Sequence, residues 1–334
     1  MSDNIDFNDL RKRAVSQPLV VDQYTADPSA HVFDGKIYIY PSHDIDAGIP
    51  FNDNGDHFGM RDYRAYMMES PDDKLATDLG KILDIDDVPW AKRQMWAPDI
   101  ARKGDTYYFY FPAKDKDDIF KIGVAKGRSP SGPFTADPKP IEGSYSIDPA
   151  VFNDNGKYYM YFGGLWGGQL QKYRNNIYSN GNELRSDDDL AFGPLVAELS
   201  DDMKGFSSSP EEIIIQDESG NPLLAGDNSR RYFEGPWMHK FNEKYYLSYS
   251  TGDTHFICYA IGDTPKGPFK YAGKILDPVV GWTTHHSICE FNGRWFLFYH
   301  DSSLSEGVTH LRCMKFVEIF YDKNGFIKKI NPYS

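Results

Sequence analysis

Cysteine, positive charge and long apolar runs are all scarce in this 334-residue sequence. The three cysteines, Cys258, Cys289 and Cys313, are odd in number and widely spaced, which argues against a disulfide framework or a cysteine metal motif and favours a reducing compartment. Lysine and arginine total 36 against 49 aspartate and glutamate residues, so the net charge is −13. Because the longest basic cluster spans only residues 11–13, we expect no nucleic-acid partner.

No stretch approaches the roughly 18 apolar residues of a membrane-spanning helix, so no membrane partner is expected. The N-terminus also lacks the apolar core of a signal peptide. If the sequence is complete, these two observations favour a cytoplasmic location. A secreted protein whose signal had been removed and replaced by a Met would look the same.

Aromatic residues make up 15% of the chain and are concentrated in five similar segments, each a turn signal followed by an aromatic-rich strand. The segments read DGKIYIYPS from Asp34, KGDTYYFYF from Lys103, DNGKYYMYF from Asp154, FNEKYYLSY from Phe241 and FNGRWFLFY from Phe291. Asp34-Gly35 is a strong hairpin dipeptide, and each interval between turns is long enough for four strands. The pattern predicts an all-β, five-bladed β-propeller over residues 25–334, preceded by an N-terminal strap at residues 1–24.

A residue of distinctive chemistry precedes each turn at a nearly constant distance. Asp27 lies nine residues before Lys36, Trp96 nine before Asp105, Asp148 nine before Lys157, Glu234 ten before Lys244 and His285 nine before Arg294. Since the first strand of each propeller blade lines the central channel, these five side chains are expected to meet at one mouth of that channel. A β-sandwich, the alternative fold, gives no reason for the constant offset.

Asp27, Asp148 and Glu234 are the candidate catalytic residues. Their neighbours are apolar or aromatic, as in YTADPSAHVF, YSIDPAVF and YFEGPWMHKF, and a carboxyl group in such surroundings loses hydration, which raises its pKa. Two carboxyl groups with divergent pKa values supply the acid and the base of glycosidic-bond hydrolysis, and a third can hold the pKa of the acid high by charge repulsion. The alternative for the two Asp-Pro pairs is simple turn initiation.

These segments resemble glycoside hydrolase family 43, the inverting β-xylosidases and α-L-arabinofuranosidases. The matching motifs are ADPSAHVFDGKIYIYPSHD, MWAPDI, SIDPAVFNDNGKYYMYFGG, FEGPWMHKFNEKYYLSYSTG and TTHHSICEFNGRWFLFYH, which together cover most of the chain. The resemblance implies a five-bladed propeller with Asp27 as general base, Glu234 as general acid and Asp148 as the modulator of the acid's pKa. It also implies an acid-to-base separation of roughly 6.5–9.5 Å, which leaves room for a water molecule.

The resemblance implies sugar contacts as well. Trp96 would form an aromatic wall of the first sugar site, and Arg312 would reach the hydroxyl groups of the bound sugar. Phe33 and Phe51 are further candidates for substrate binding. The alternatives are core packing for Trp96 and a surface strand position for Arg312.

His285 matches the family histidine that faces a hydrated metal, often calcium, in the central channel. Thr284 stands where the family's Gly-His-x-Ser pattern has glycine. Because calcium prefers oxygen ligands, water would have to supply most of its shell. A His285 held only by hydrogen bonds, without a metal, is the alternative.

The combined expectation is an exo-acting β-xylosidase that trims xylose from the non-reducing ends of xylo-oligosaccharides and also cleaves α-L-arabinofuranosides. Its partner is a small oligosaccharide, with no organic cofactor, and a homo-oligomeric assembly is left open. The alternatives are an endo-arabinanase or other family relative, and a propeller that binds glycans without cleaving them. The loops at residues 44–62 and 165–188 are expected to decide between a closed pocket and an open channel.

Overall fold

The computed structural model describes residues 5–174, 177–181, 185–282 and 284–334. Apart from one two-stranded hairpin, its strands form five sheets that follow one another along the chain, here called blades 1 to 5. Blade 1 comprises Tyr24–Phe33, Lys36–Asp44, Asp62–Met68 and Thr77–Asp84. Blade 2 comprises Asp99–Lys103, Thr106–Lys114, Phe120–Gly127 and Thr135–Ala136. Blade 3 comprises Ala150–Asp154, Lys157–Phe162, Leu195–Glu198 and Glu211–Glu212.

Blade 4 comprises Glu234–Phe241, Lys244–Ser250, Ile257–Gly262 and Phe269–Leu276, with Ile215–Gln216 added in parallel at its outer edge. Blade 5 comprises His286–Phe291, Arg294–Asp301 and Cys313–Ile319. A small hairpin pairs Tyr173–Arg174 with Ile177–Tyr178. The helical elements are an α-helix at Phe7–Arg13 and 3₁₀ turns at Ile85–Asp87, Trp166–Gly168, Leu170–Lys172 and Gly252–Thr254. No helix within the described ranges is long and apolar enough to cross a membrane.

The five first strands contact one another in ring order, from blade 1 through blade 5 and back to blade 1. This closed ring confirms the predicted five-bladed propeller. Each blade begins with the predicted hairpin; in blade 1, Asp34 and Gly35 both have positive φ (51° and 78°), as a tight two-residue turn requires. Large aromatic clusters fill the space between blades, such as Tyr40, Tyr63 and Phe109 between blades 1 and 2.

One detail of the prediction was wrong, because blade 5 has three strands within the described residues rather than four. A short helix at Phe7–Arg13 precedes the propeller.

The N-terminal segment closes the ring between the first and last blades. The amide of Leu19 donates to the carbonyl of Met314 in blade 5, and the Leu19 carbonyl accepts from Ala76 beside blade 1. The amide of Thr25 donates to the carbonyl of Arg312. Residues 5–23 therefore form a clasp across the seam between blades 1 and 5, and residues 1–4 of the predicted strap lie outside the described residues.

Candidate active site

A pocket of about 300 Å³ opens at one mouth of the central channel. The structure brings together there the five residues that share the repeat position: Asp27, Trp96, Asp148, Glu234 and His285. Asp27, Asp148 and His285 are almost fully buried, and Glu234 is partly exposed towards the opening. Three carboxyl groups distant in sequence thus share one small cavity.

The backbone explains why Glu234 is offset by ten residues rather than nine. In blade 1 the pairing of the first two strands jumps from Ala26 to Ser29, so that Asp27 and Pro28 form a bulge, with Asp27 at φ 49°. In blade 4 the same jump runs from Glu234 to Trp237, and the bulge is Gly235-Pro236, with Gly235 at φ 63°. Glycine therefore takes the position of Asp27, and the carboxyl group comes from the preceding residue.

Asp27 is held as a carboxylate. Its Oδ1 accepts from Arg312 Nη1 at 3.0 Å and its Oδ2 accepts from Ser42 Oγ at 2.7 Å. Burial acts to raise the pKa of Asp27, but the positive charge of Arg312 and the Ser42 hydrogen bond help to outweigh it, and the pKa falls to about 2. At neutral pH this group is ionised and can accept a proton.

Glu234 has the opposite character. Burial, reinforced by the negative charge of Asp27, raises its pKa to about 8. Burial and the charges of Glu234 and Asp27 also raise the pKa of Asp148, whose Oδ2 accepts from the Gly235 amide at 2.9 Å. Since neighbouring buried carboxyl groups titrate together, charge on either one favours the proton on the other. The pocket therefore holds a proton donor opposite a proton acceptor.

Arg312 is only 2% exposed, binds Asp27 and lines the pocket. Besides Asp27 it binds Asp44 twice, through Nε to Oδ2 and Nη2 to Oδ1, both at 2.8 Å. Its guanidinium group also lies over the Phe58 ring, 4.9 Å from the centroid. These contacts place Arg312 where it holds the Asp27 side chain in position and favours its ionised form.

The surroundings of His285 suit a hydrated metal rather than a directly coordinated one. Its imidazole is buried, and neither ring nitrogen has a hydrogen-bond partner in the described part of the chain; the nearest carboxylate oxygen is Oδ2 of Asp148, 3.8 Å from Nε2. Burial lowers the pKa of His285, so that the ring is neutral and has a free lone pair. The described residues offer no group of three or more His, Cys, Asp or Glu side chains for direct coordination. The residues fit an ion that reaches the protein through one imidazole and mainly through water.

Trp96 and Phe51 both line the pocket, as predicted. Trp96 is fixed by the bond from its Nε1 to the carbonyl of Phe58 at 2.8 Å and by packing against the Phe120 ring. Phe51 is 67% exposed at the rim and packs on the ring of His57. The loop at residues 44–62 therefore forms a wall of the pocket, which the sequence had left undecided.

The loop that begins at Leu165 forms the adjoining wall. Leu165–Gly168 line the pocket, and Gly167 packs so closely on residues 53–54 that an added Cβ would lie 2.8 Å from the Asn54 carbonyl oxygen. Arg93 ties the loop at residues 44–62 to blade 2, because Nη1 binds Asp56 at 2.6 Å and Nε binds Asp118 at 2.9 Å. The walls from blades 1 and 3 thus meet over blade 2 and close that side of the pocket.

The prediction that Phe33 binds substrate at this pocket was wrong. It lies at the far end of its strand, six residues from Asp27, and borders a separate cavity with Val32, Trp237 and Glu290. Since a strand rises about 3.3 Å per residue, the two positions are roughly 20 Å apart. Phe33 packs on Tyr107 and His31 and does not line the catalytic pocket.

Three residues important to the site were not singled out from the sequence: Ser42, Asp44 and His300. Ser42 and Asp44 hold Asp27 and Arg312 as described above, and Nδ1 of His300 accepts from the Asp27 amide at 2.9 Å. A signal was available, because Ser42 and His300 each lie six residues after the basic residue that opens their second strand. Asp44 carries no comparable repeat signal.

Comparison with known proteins gives a consistent result. The family model "Glycosyl hydrolases family 43" matches residues 17–327. The chain is 58% identical to xylosidase/arabinosidase 43A of Humicola insolens over 94% of this chain and 99% of that protein, and 56% identical to a xylosidase/arabinosidase of Bacteroides ovatus over 92% and 95%.

A solved structure is similarly close. A family 43 β-xylosidase/α-arabinofuranosidase from a compost microbial metagenome, crystallised with xylotriose in a calcium-free form, superposes with a TM-score of 0.93 at 62% identity. The match covers 96% of this chain and 98% of that one. With its propeller, its three carboxyl groups in one pocket and a family match over most of its length, the chain belongs to glycoside hydrolase family 43.

Proposed function

We propose that this protein is an inverting exo-glycosidase that releases xylose from the non-reducing ends of xylo-oligosaccharides and also cleaves α-L-arabinofuranosides. The observation that carries the proposal is that Asp27 and Glu234 line one pocket in contrasting surroundings: Asp27 binds Arg312 and Ser42, which lowers its pKa to about 2, whereas burial raises the pKa of Glu234 to about 8. A non-catalytic glycan-binding site has no need for this division. The names of the relatives given above support the choice of sugars.

The reaction follows from the two protonation states. Ionised Asp27 takes a proton from a water molecule while that water attacks the anomeric carbon, and neutral Glu234 gives its proton to the departing glycosidic oxygen. One C–O bond forms as the other breaks, on opposite faces of the ring, so the anomeric configuration inverts. Arg312 holds Asp27 in place, and Asp148 is the proposed modulator of the acid, since its carboxyl group titrates together with that of Glu234.

The closed side of the pocket supports exo action. The walls formed by residues 51–58 and 165–168 meet at the Asn54–Gly167 contact, so a long chain would not pass freely in that direction. An endo-arabinanase needs a cleft open at both ends. The geometry therefore favours a chain-end substrate over that alternative.

We further propose a hydrated calcium ion near His285, where it would supply positive charge to the channel behind the carboxyl groups. The support is the unpartnered buried imidazole together with the calcium-free designation of the related structure.

The function is tested by incubating the protein with xylobiose and with 4-nitrophenyl α-L-arabinofuranoside. Turnover of xylobiose, with α-xylose as the first anomer seen by proton NMR, is the expected result. If the protein cleaves neither substrate, the proposal is contradicted. Initial release of β-xylose contradicts inversion alone.

A further inference from the structure

Several side chains around the mouth of the pocket lie beside Glu234 but take no part in the proton transfers. The inference drawn from them rests on the proposed function, in which Glu234 protonates the oxygen of the departing sugar. The sugar that is released occupies the buried end, near Asp27 and Asp148. The remainder of the substrate must then lie on the open side of Glu234.

A chain of aromatic rings runs from the catalytic strand to this opening. The ring of Phe233, the residue before Glu234, meets Trp166 edge-on at 5.3 Å. Trp166 in turn stacks on Trp282, with centroids 6.0 Å apart and planes 14° apart. Both tryptophans line the pocket. A flat apolar face of this kind suits the C–H face of a pyranose ring.

Trp166 is held in an unfavourable backbone conformation to present its ring. Its φ is 53°, in the left-handed region that bulky residues rarely adopt, and its side chain is 39% exposed. Its carbonyl accepts from the Gln169 amide at 2.9 Å and from Gln171 Nε2 at 3.1 Å. A strained backbone that exposes a large apolar side chain beside an active site indicates a role in binding.

Asp253 supplies a polar group at the same opening. It lies on the turn Gly252–Thr254, is exposed, and lines the pocket close enough for its charge to act on Glu234. Within the described residues, no hydrogen bond or ion pair involves its carboxylate. The carboxylate is thus available to accept hydrogen bonds from the hydroxyl groups of a ligand.

We propose that Trp166, Trp282 and Asp253 form the leaving-group subsite for the second xylose unit of a β-1,4-xylo-oligosaccharide. The pyranose ring rests against the tryptophan pair while one of its hydroxyl groups donates to Asp253. An aryl leaving group uses the aromatic face but has no hydroxyl group for the carboxylate. The subsite therefore distinguishes natural oligosaccharides from aryl glycosides.

The test compares Asp253→Ala and Asp253→Asn with the wild-type protein, using xylobiose and 4-nitrophenyl β-D-xyloside. We expect Asp253→Ala to lower kcat/KM for xylobiose about tenfold, the effect of losing a hydrogen bond to a charged group, and to change the aryl substrate less than about twofold. Asp253→Asn keeps an acceptor oxygen and should recover part of the loss. Asp188→Ala, at an exposed aspartate outside the pocket, is the matched control and should leave both substrates unchanged.

The Asn variant separates binding from electrostatics. Both variants remove the negative charge near Glu234, so an effect transmitted only through the acid's pKa would be equal in Ala and Asn. Equal losses in the two variants, equal losses on both substrates, or wild-type kinetics of Asp253→Ala on xylobiose would each overturn the subsite. A wild-type protein that does not cleave xylobiose contradicts the proposed function instead.

The aromatic part of the subsite is tested separately. Trp166→Ala should raise KM for both xylobiose and the aryl xyloside, and Trp166→Phe, which keeps an aromatic face, should restore part of the affinity. Circular dichroism and the Tm establish that each variant is folded. Unchanged KM values in a folded Trp166→Ala variant contradict the platform.

Discussion

The corners of the pocket that hold Asp27 and Glu234 have the same backbone bulge but opposite electrostatics. In blade 1 the carboxyl group lies against Arg312 and Ser42, and its pKa falls to about 2. In blade 4 no cation or hydroxyl group hydrogen-bonds Glu234 among the described residues, and burial raises its pKa to about 8. The repeated backbone determines where a carboxyl group lies, whereas the side chains around it determine whether it carries a proton.

The largest effect is expected from removing Glu234, the proposed proton donor. Glu234→Gln should lower kcat for xylobiose about a thousandfold, within the range that general acid catalysis contributes. A 4-nitrophenyl glycoside, whose leaving group needs little protonation, should lose much less. Glu243→Gln, at an exposed glutamate paired with Lys240, is the control, and xylobiose turnover by Glu234→Gln near the wild-type rate would exclude it as the acid.

The same variant should show the raised pKa in its stability. The folded protein binds the Glu234 proton more tightly than the unfolded chain, so the wild-type stability contributed by this group falls as the pH rises from about 4.5 to about 8. Glu234→Gln lacks this decline. Its Tm relative to the wild-type protein should increase across that window, and a constant difference would contradict the raised pKa.

Breaking the Asp27 corner should affect stability as well as activity. Arg312→Met leaves Asp27 and Asp44 buried without their cation, and about 3–5 kcal/mol of unfolding free energy should be lost, measured by urea denaturation. Activity should also fall, because the pKa of Asp27 rises. Arg294→Met, which removes an exposed pair with Glu318, should cost less than about 1 kcal/mol. Similar losses in the two variants would contradict the structural role of Arg312.

The pH dependence of kcat/KM should reflect the two corners. The proposed mechanism needs ionised Asp27 and neutral Glu234, so the alkaline limb should lie near pH 8 and the acid limb far below neutrality. Asp148→Asn removes a neighbouring carboxyl group and should shift the alkaline limb down by about one pH unit. Asp188→Asn should leave the profile unchanged. If the alkaline limb of Asp148→Asn stays at the wild-type pH, Asp148 does not modulate the pKa of Glu234.

The smallest effect concerns the residue that replaces Asp27 in the blade 4 bulge. Gly235→Ala places a Cβ in the left-handed region and 3.0 Å from Cδ2 of His285, so we expect a loss of about 1–2 kcal/mol of stability and a displaced Glu234. Gly293→Ala has a similar positive φ with no atom within 4 Å of the added Cβ. The difference between the two variants in urea denaturation measures the contact with His285, and equal costs would show that this contact is unimportant.

Repetition made much of the site predictable from the sequence. Asp27, Trp96, Asp148, Glu234 and His285 occupy one repeat position, and the closed ring brings them to one pocket. Residues that act through a neighbouring blade were harder to find. Asp44 holds Arg312 across 268 residues of sequence, and no local pattern reveals such a pair. Phe33 was misplaced because it belongs to the turn end of the repeat, while the pocket is at the other end.

Loop paths also lay beyond sequence pattern. The loop at residues 44–62 is rich in Gly, Asp and Asn, which predicts turns but not their direction. Its course depends on distant partners, such as Arg93 for Asp56 and Gln94 Nε2 for the Gly55 carbonyl. Those contacts form only when blade 2 has packed beside blade 1, so the local sequence of the loop does not reveal them.

The clasp formed by residues 5–23 has a consequence for how the enzyme would fail. Asp27, the proposed general base, belongs to blade 1, while its partners are His300 in blade 5 and Arg312, the residue before the last strand of that blade, so the Asp27 carboxylate lies at the seam that the clasp closes. Slight parting of that junction would leave every sheet intact yet deprive Asp27 of its counter-ion. Heat inactivation should therefore precede the loss of β-structure, and turnover should report the opening of the seam between blades 1 and 5 before spectroscopy does.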